Sequence, residues 1–142
     1  MAKSSRETET RTRILDAAES LVSDQGFRAV SLRQITSKAG VNIAAVNYHF
    51  GSKDALITEV LARVVSPINR ERLRLLGEAE SKHGDTPIPV EEILECLHRP
   101  VVDQIQRSSL QSSVYLKLAG RCLAEPEDNI NDTLIPLFRE VV

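Results

Sequence analysis

The chain has 142 residues, 42% of them hydrophobic and 27% charged, with a formal net charge of −2. That length holds one ordinary domain or a small module joined to part of a larger one, and the composition excludes the disordered and fibrous classes. The charge is uneven: residues 1–70 carry 10 Lys and Arg against 7 Asp and Glu, whereas residues 71–142 carry 8 against 13, so the front half suits a polyanionic partner.

After a polar N-terminal arm, Ile14, Ala17, Ala18, Leu21 and Val22 recur at spacings of three and four, which predicts a first helix over about Thr10 to Ser23. Gly26 closes it, because glycine readily takes the left-handed conformation of a helix end. Ser31 and Gln34 stand at capping-box spacing and predict a second helix, whose buried face is Leu32, Ile35 and Ala39 and whose stop is Gly40. Asn42 is placed to cap a third short helix, Ile43 to Phe50. Two short helices joined by a tight glycine-containing turn form a helix-turn-helix, in which the second helix enters the DNA major groove.

Gly51 and Ser52 end that helix and cap the next. From Lys53, an apolar stripe of Leu56, Ile57, Val60, Leu61, Val64, Val65 and Ile68 predicts a longer connecting helix that Pro67 can kink and that fades over Arg70 to Glu80. The segment SKHGDTPIPV reads as a loop. Helical spacing returns over Val90–Gln106, Leu110–Glu125 and roughly Ile130–Val142, with no competing strand pattern. The chain stops at LIPLFREVV inside an apolar-faced pattern without a cap, so further sequence is expected after Val142. The expected fold is all-α, with a helix-turn-helix domain and its arm over 1–52, then a connecting helix and part of a helical ligand-binding and dimerisation domain over 53–142.

No apolar run approaches the roughly 20 residues that cross a bilayer, and the opening MAKSSRETETRTR lacks a signal peptide's apolar stretch, so a cytoplasmic protein without a membrane partner is expected. Cys96 and Cys122 have no CxxC spacing and no clustered histidines, which predicts buried free thiols, no metal and no cofactor. Three scattered histidines offer no catalytic set, so no enzyme is expected; His83 and His98 read as structural.

On the third helix Val46 and Phe50, four apart, form the inward anchor, which leaves Ile43, Ala44, Ala45, Asn47, Tyr48 and His49 for DNA. Small Ala44 and Ala45 permit close approach and present methyls to thymine, Asn47 can pair with adenine or reach a phosphate, and Tyr48 offers a ring and a hydroxyl. Ser31, at a helix start, can give its hydroxyl or backbone N–H to a phosphate. Arg6, Arg11 and Arg13 either enter the adjoining minor groove from a flexible arm or form a solvated face with Glu7 and Glu9.

The stretch ILDAAESLVSDQGFRAVSLRQITSKAGVNIAAVNYHFGSKDAL resembles the DNA-binding domain of the tetracycline-repressor (TetR) family. The likeness rests on ILDAA, Gly26-Phe27, SLRQI, Ala39-Gly40-Val41, and Tyr48-His49-Phe50 followed by Lys53 and Leu56. It implies a transcriptional repressor that binds a palindromic double-stranded DNA operator as a homodimer and is released by a small-molecule effector. It also implies base-facing roles for Ala44 and Ala45, a guanine contact for Arg33, and backbone contacts for His49 and Lys53; Asn47 departs from the family's common tyrosine. The resemblance of VNIAAVNYHFGSKDAL to regulators of fatty-acid metabolism hints at an acyl or other apolar effector. Cys96, Tyr115 and Cys122 are candidate ligand-cavity residues, although apolar residues at helical spacing are more often core. A rival reading is a helical ligand-binding or protein-interaction module that keeps the fold without binding DNA.

Overall fold

The computed structural model describes residues 2–107, 115–121 and 139, and among these the regular structure is all α-helix. The helices are α1 (Ala2–Gln25), α2 (Leu32–Ala39), α3 (Ile43–Phe50), α4 (Lys53–His83) and α5 (Val90–Arg107), with a further helical stretch at 115–121. The expected segments 110–114 and 122–142, Cys122 included, lie outside the described residues apart from Arg139. No helix of the described residues is long and apolar enough to cross a membrane.

The first helix begins well before the apolar pattern that announces it. Its early turns are exposed, so they carry no stripe, but no Gly or Pro interrupts them, and the Thr8 and Thr12 hydroxyls fold back onto the carbonyls of Ser4 and Thr8, both at 2.9 Å. The expected flexible arm is therefore helix. Gly26, at φ 90°, ends it with its N–H on the Val22 carbonyl at 2.9 Å.

The two short helices follow their caps. The Ser31 hydroxyl accepts from the Gln34 amide at 3.2 Å while the Gln34 side chain accepts from the Ser31 amide at 2.8 Å, closing the capping box of α2. Asn42 opens α3 by accepting from the Ala45 amide at 2.9 Å. The longest helix, α4, starts after Ser52, whose hydroxyl accepts from the Ala55 amide at 3.1 Å, and it runs past the expected fade to His83. Its charged stretch is solvated helix, braced by Arg74 against Glu71 at 2.7 Å and against Glu78. Gly84, at φ 55°, stops it, which shortens the expected loop to 84–89.

The chain divides into two compact units, residues 1–62 with 116–126, and residues 63–115 with 127–142. In the first, Ile14, Ala18, Val22, Ile35, Val46, Leu56 and Val60 are fully buried. Leu118 is buried as well, and beside it Lys117 pairs with the Asp24 carboxylate at 2.8 Å while Arg121 donates to the Asp24 carbonyl at 3.0 Å. Both cations meet the negative end of α1, a favourable arrangement.

In the second unit Ile68, Ala79 and Cys96 are buried, the last as a free thiol. Arg72 joins α4 to α5: its Nε donates to the Leu97 carbonyl at 2.8 Å and its Nη1 to the buried Asn69 side chain at 3.0 Å. Lys82 and His83 meet Glu92 at 3.0 and 2.7 Å. Hydrogen bonds from these two hold the Glu92 carboxyl below the usual range.

Candidate nucleic-acid interface

The period of a helix sorts the side chains of α3. Val46 and Phe50, four apart, are 0% and 8% exposed and root the helix in the core. On the opposite side Ile43, Ala44, Asn47 and Tyr48 form one exposed face, with half-buried Ala45 and His49 along its edge. Tyr48 is 73% exposed and Ile43 49%, which leaves apolar surface available to a partner.

The rings at the end of α3 brace one another. His49 stands edge-on to Tyr48 with centroids 5.0 Å apart and lies 6.2 Å from the Phe50 ring. Tyr48 is thus supported from one side and open on the other, so its ring and hydroxyl can meet a sugar, a phosphate or a base without prior rearrangement.

Three further candidate positions lie in the same unit. Ser31 is exposed at the start of α2, where its hydroxyl is engaged by Gln34 and the helix end favours an anion. Arg33 is exposed on the first turn of α2, and among the described residues no carboxylate pairs with it. Lys53 is half-buried at the first position of α4, where a cation faces a helix's positive end and an anion nearby offsets the penalty. The helix-turn-helix thus brings Ser31, Arg33, the α3 face and Lys53 into one unit, residues 1–62 with 116–126.

Of the ligand-cavity candidates, Cys122 lies outside the described residues, and Cys96 and Tyr115 belong to separate stretches, α5 and 115–121. Cys96 lies on the wall of a pocket of about 220 Å³ that is edged by Glu78, Lys82, Glu92 and Arg99, and Tyr115 is not among its lining residues.

Sequence reasoning missed the contacts that hold the helix-turn-helix in place. Arg13 of α1 donates to the carbonyls of Ala39 and Gly40, the latter at 3.3 Å, and Arg11 ion-pairs with Glu59 of α4 while its guanidinium stands 5.0 Å from the centre of the Phe50 ring. Lys38 donates to the Ser20 hydroxyl at 2.9 Å, and the Gln34 and Gln25 side chains bond at 3.0 Å. The unbroken run from Ala2 to Ile14 without Gly or Pro was the available signal that the arginines sit on a helix.

Residues 14–60 match the family of bacterial regulatory proteins described as the tetR family. The chain is similar to the HTH-type transcriptional regulator AcrR of Shigella flexneri, 34% identical over 110 residues, which is 77% of this chain and 49% of AcrR. It is also similar to the HTH-type transcriptional repressor KstR2 of Rhodococcus jostii (strain RHA1), 37% identical over 51 residues, which is 36% of this chain and 25% of KstR2. Among solved structures, SCO7518 of Streptomyces coelicolor A3(2) shares the fold, with a TM-score of 0.56 at 23% identity over 92% of this chain and 70% of that one. The chain thus spans about half the length of AcrR and a quarter of KstR2.

Proposed function

The chain belongs to the tetR family of bacterial regulatory proteins, and from that premise we propose that it is a sequence-specific DNA-binding transcriptional regulator. Within this reading it is a cytoplasmic repressor, not an enzyme, that binds a palindromic operator as a homodimer and leaves it when a small-molecule effector binds the helical part beyond Ser52. The observation that carries the reading is the two-sidedness of α3: Val46 and Phe50 hold it to the core while Ile43, Ala44, Asn47 and Tyr48 face solvent. A helix stabilised on one face only, with small, apolar and amide groups on the other, has the shape and chemistry that major-groove readout requires.

The roles divide by chemistry. Ala44 and Ala45 let the helix approach base edges, Asn47 and Arg33 supply the directional hydrogen bonds that distinguish bases, and Ser31, Tyr48, His49 and Lys53 set register on phosphates and sugars. The test is fluorescence anisotropy of the full-length chain with a labelled duplex from upstream of its own gene and with a scrambled duplex of equal length. Binding that prefers the first and weakens steeply with salt supports the reading. Equal affinity for both, or no binding, replaces it with a helical module that retains the fold alone.

A further inference from the structure

At eight residues α3 is shorter than the ~12 at which a helix becomes stable in water, so its pose depends on what grips its ends. At the entry, the last turn of α2 leaves carbonyls without helical partners. Two of them are met locally, as the Gly40 amide donates to Ser37 at 3.3 Å and the Val41 amide to Thr36 at 3.0 Å. Two more, those of Ala39 and Gly40, receive the Arg13 guanidinium from α1. A cation there also meets the negative end of α2.

At the exit, the Arg11 guanidinium lies over the face of Phe50, the last residue of α3, and its ion pair with Glu59 holds it there. We propose that Arg11 and Arg13 form a two-ended clamp on α3, Arg13 fixing the turn that enters it and Arg11 the ring that ends it. Both are positioning residues: their guanidinium groups engage carbonyls, a ring and a carboxylate of the protein itself. The consequence for DNA rests on α3 being the recognition helix; the clamp does not.

Hydrogen exchange on the full-length chain reads the clamp without DNA. Arg13→Ala is expected to speed exchange of the Val41–Ala45 amides on the order of tenfold, and Arg11→Ala that of the amides near Phe50, with the Ile14 and Ile35 amides unchanged. Arg13→Lys restores part of the protection, because a single ammonium replaces one donor of the fork. Should Arg13→Ala fail to fold, Arg13→Gln gives a second route, since it keeps a hydrogen-bonding side chain but removes the charged fork that meets the Ala39 and Gly40 carbonyls. Unchanged exchange at the turn when Arg13 is replaced overturns the clamp.

On the labelled upstream duplex, each alanine variant is expected to bind about tenfold more weakly, equivalent to about 1.4 kcal/mol. The slope of log affinity against log salt should match the parent, because no phosphate contact is removed. A slope reduced by about one identifies a direct phosphate contact and overturns the positioning role. If the parent itself shows no preference for that duplex, the functional reading falls while the exchange measurements still decide the clamp.

Discussion

Replacing Gly40 by alanine probes the turn on which the helix-turn-helix depends. The residue sits at φ 64° and ψ 40°, the left-handed region, where an L side chain costs roughly 1–2 kcal/mol. Alanine stiffens the unfolded chain as well, which returns about 0.4–1 kcal/mol. The added Cβ would also lie 2.8 Å from the Arg13 Nη2, so that end of the side chain must shift and weaken its hold on the Ala39 and Gly40 carbonyls. A hydrogen bond to a charged group contributes about 1.5–3 kcal/mol, and the exposure of this site places it at or below the lower end. The expected net loss is about 2 kcal/mol. With a urea m-value on the order of 1.5 kcal/mol/M, the midpoint should fall by roughly 1.3 M with m unchanged. Part of that cost belongs to Arg13, so the Arg13→Ala, Gly40→Ala double variant should lose less than the sum of the singles by about 1 kcal/mol. A midpoint within roughly 0.3 M of the parent, or strict additivity, refutes the account of the turn.

Arg33→Ala should cost about 1–3 kcal/mol on the matched duplex and flatten preference at one base pair, whereas Lys53→Ala should weaken all duplexes alike and lower the salt slope by about one; titrations on matched and single-mismatch duplexes separate the two. Phe50→Ala should destabilise by about 3–5 kcal/mol in urea unfolding, since the ring is 8% exposed and also supports Arg11. Arg72→Ala removes donors from the Leu97 carbonyl and the buried Asn69, at about 1–3 kcal/mol by the same measurement. The Lys117 hydrogen bond and charge hold the Asp24 carboxyl below its ordinary value, so the stabilisation is complete above the ordinary aspartate range and is lost as pH falls through the lowered folded value. Thermal midpoints measured from neutral pH downward should fall less steeply in Asp24→Asn than in the parent.

The boundaries of α2 and α3 were legible because local chemistry sets them. Ser31 with Gln34, Asn42 and Gly51 each satisfy or release backbone groups within a few residues of themselves, so the chain announces those ends in order. The inward pair Val46 and Phe50 was legible for a related reason: with a known helix register, four-residue spacing assigns them to one face. The early turns of α1 and the late turns of α4 were not legible from apolar pattern, because an exposed helix has no reason to keep one. The early turns of α1 contain no Gly or Pro, and in both segments side chains such as Thr8, Thr12 and Arg74 bond within the helix itself.

What sequence could not supply is the aim of α3. Caps decide that a helix exists and periodicity decides which side is apolar, but neither decides the angle at which the other side is offered to a partner. That angle is set by contacts across 26 residues from Arg13 to Ala39 and 48 from Arg11 to Glu59, made by flexible side chains that leave no periodic trace. The same long reach lets one helix hold both ends of another. If α3 is the recognition helix, Arg11 and Arg13 alter affinity without touching a base, and alanine scanning confined to α3 and its flanks would miss them.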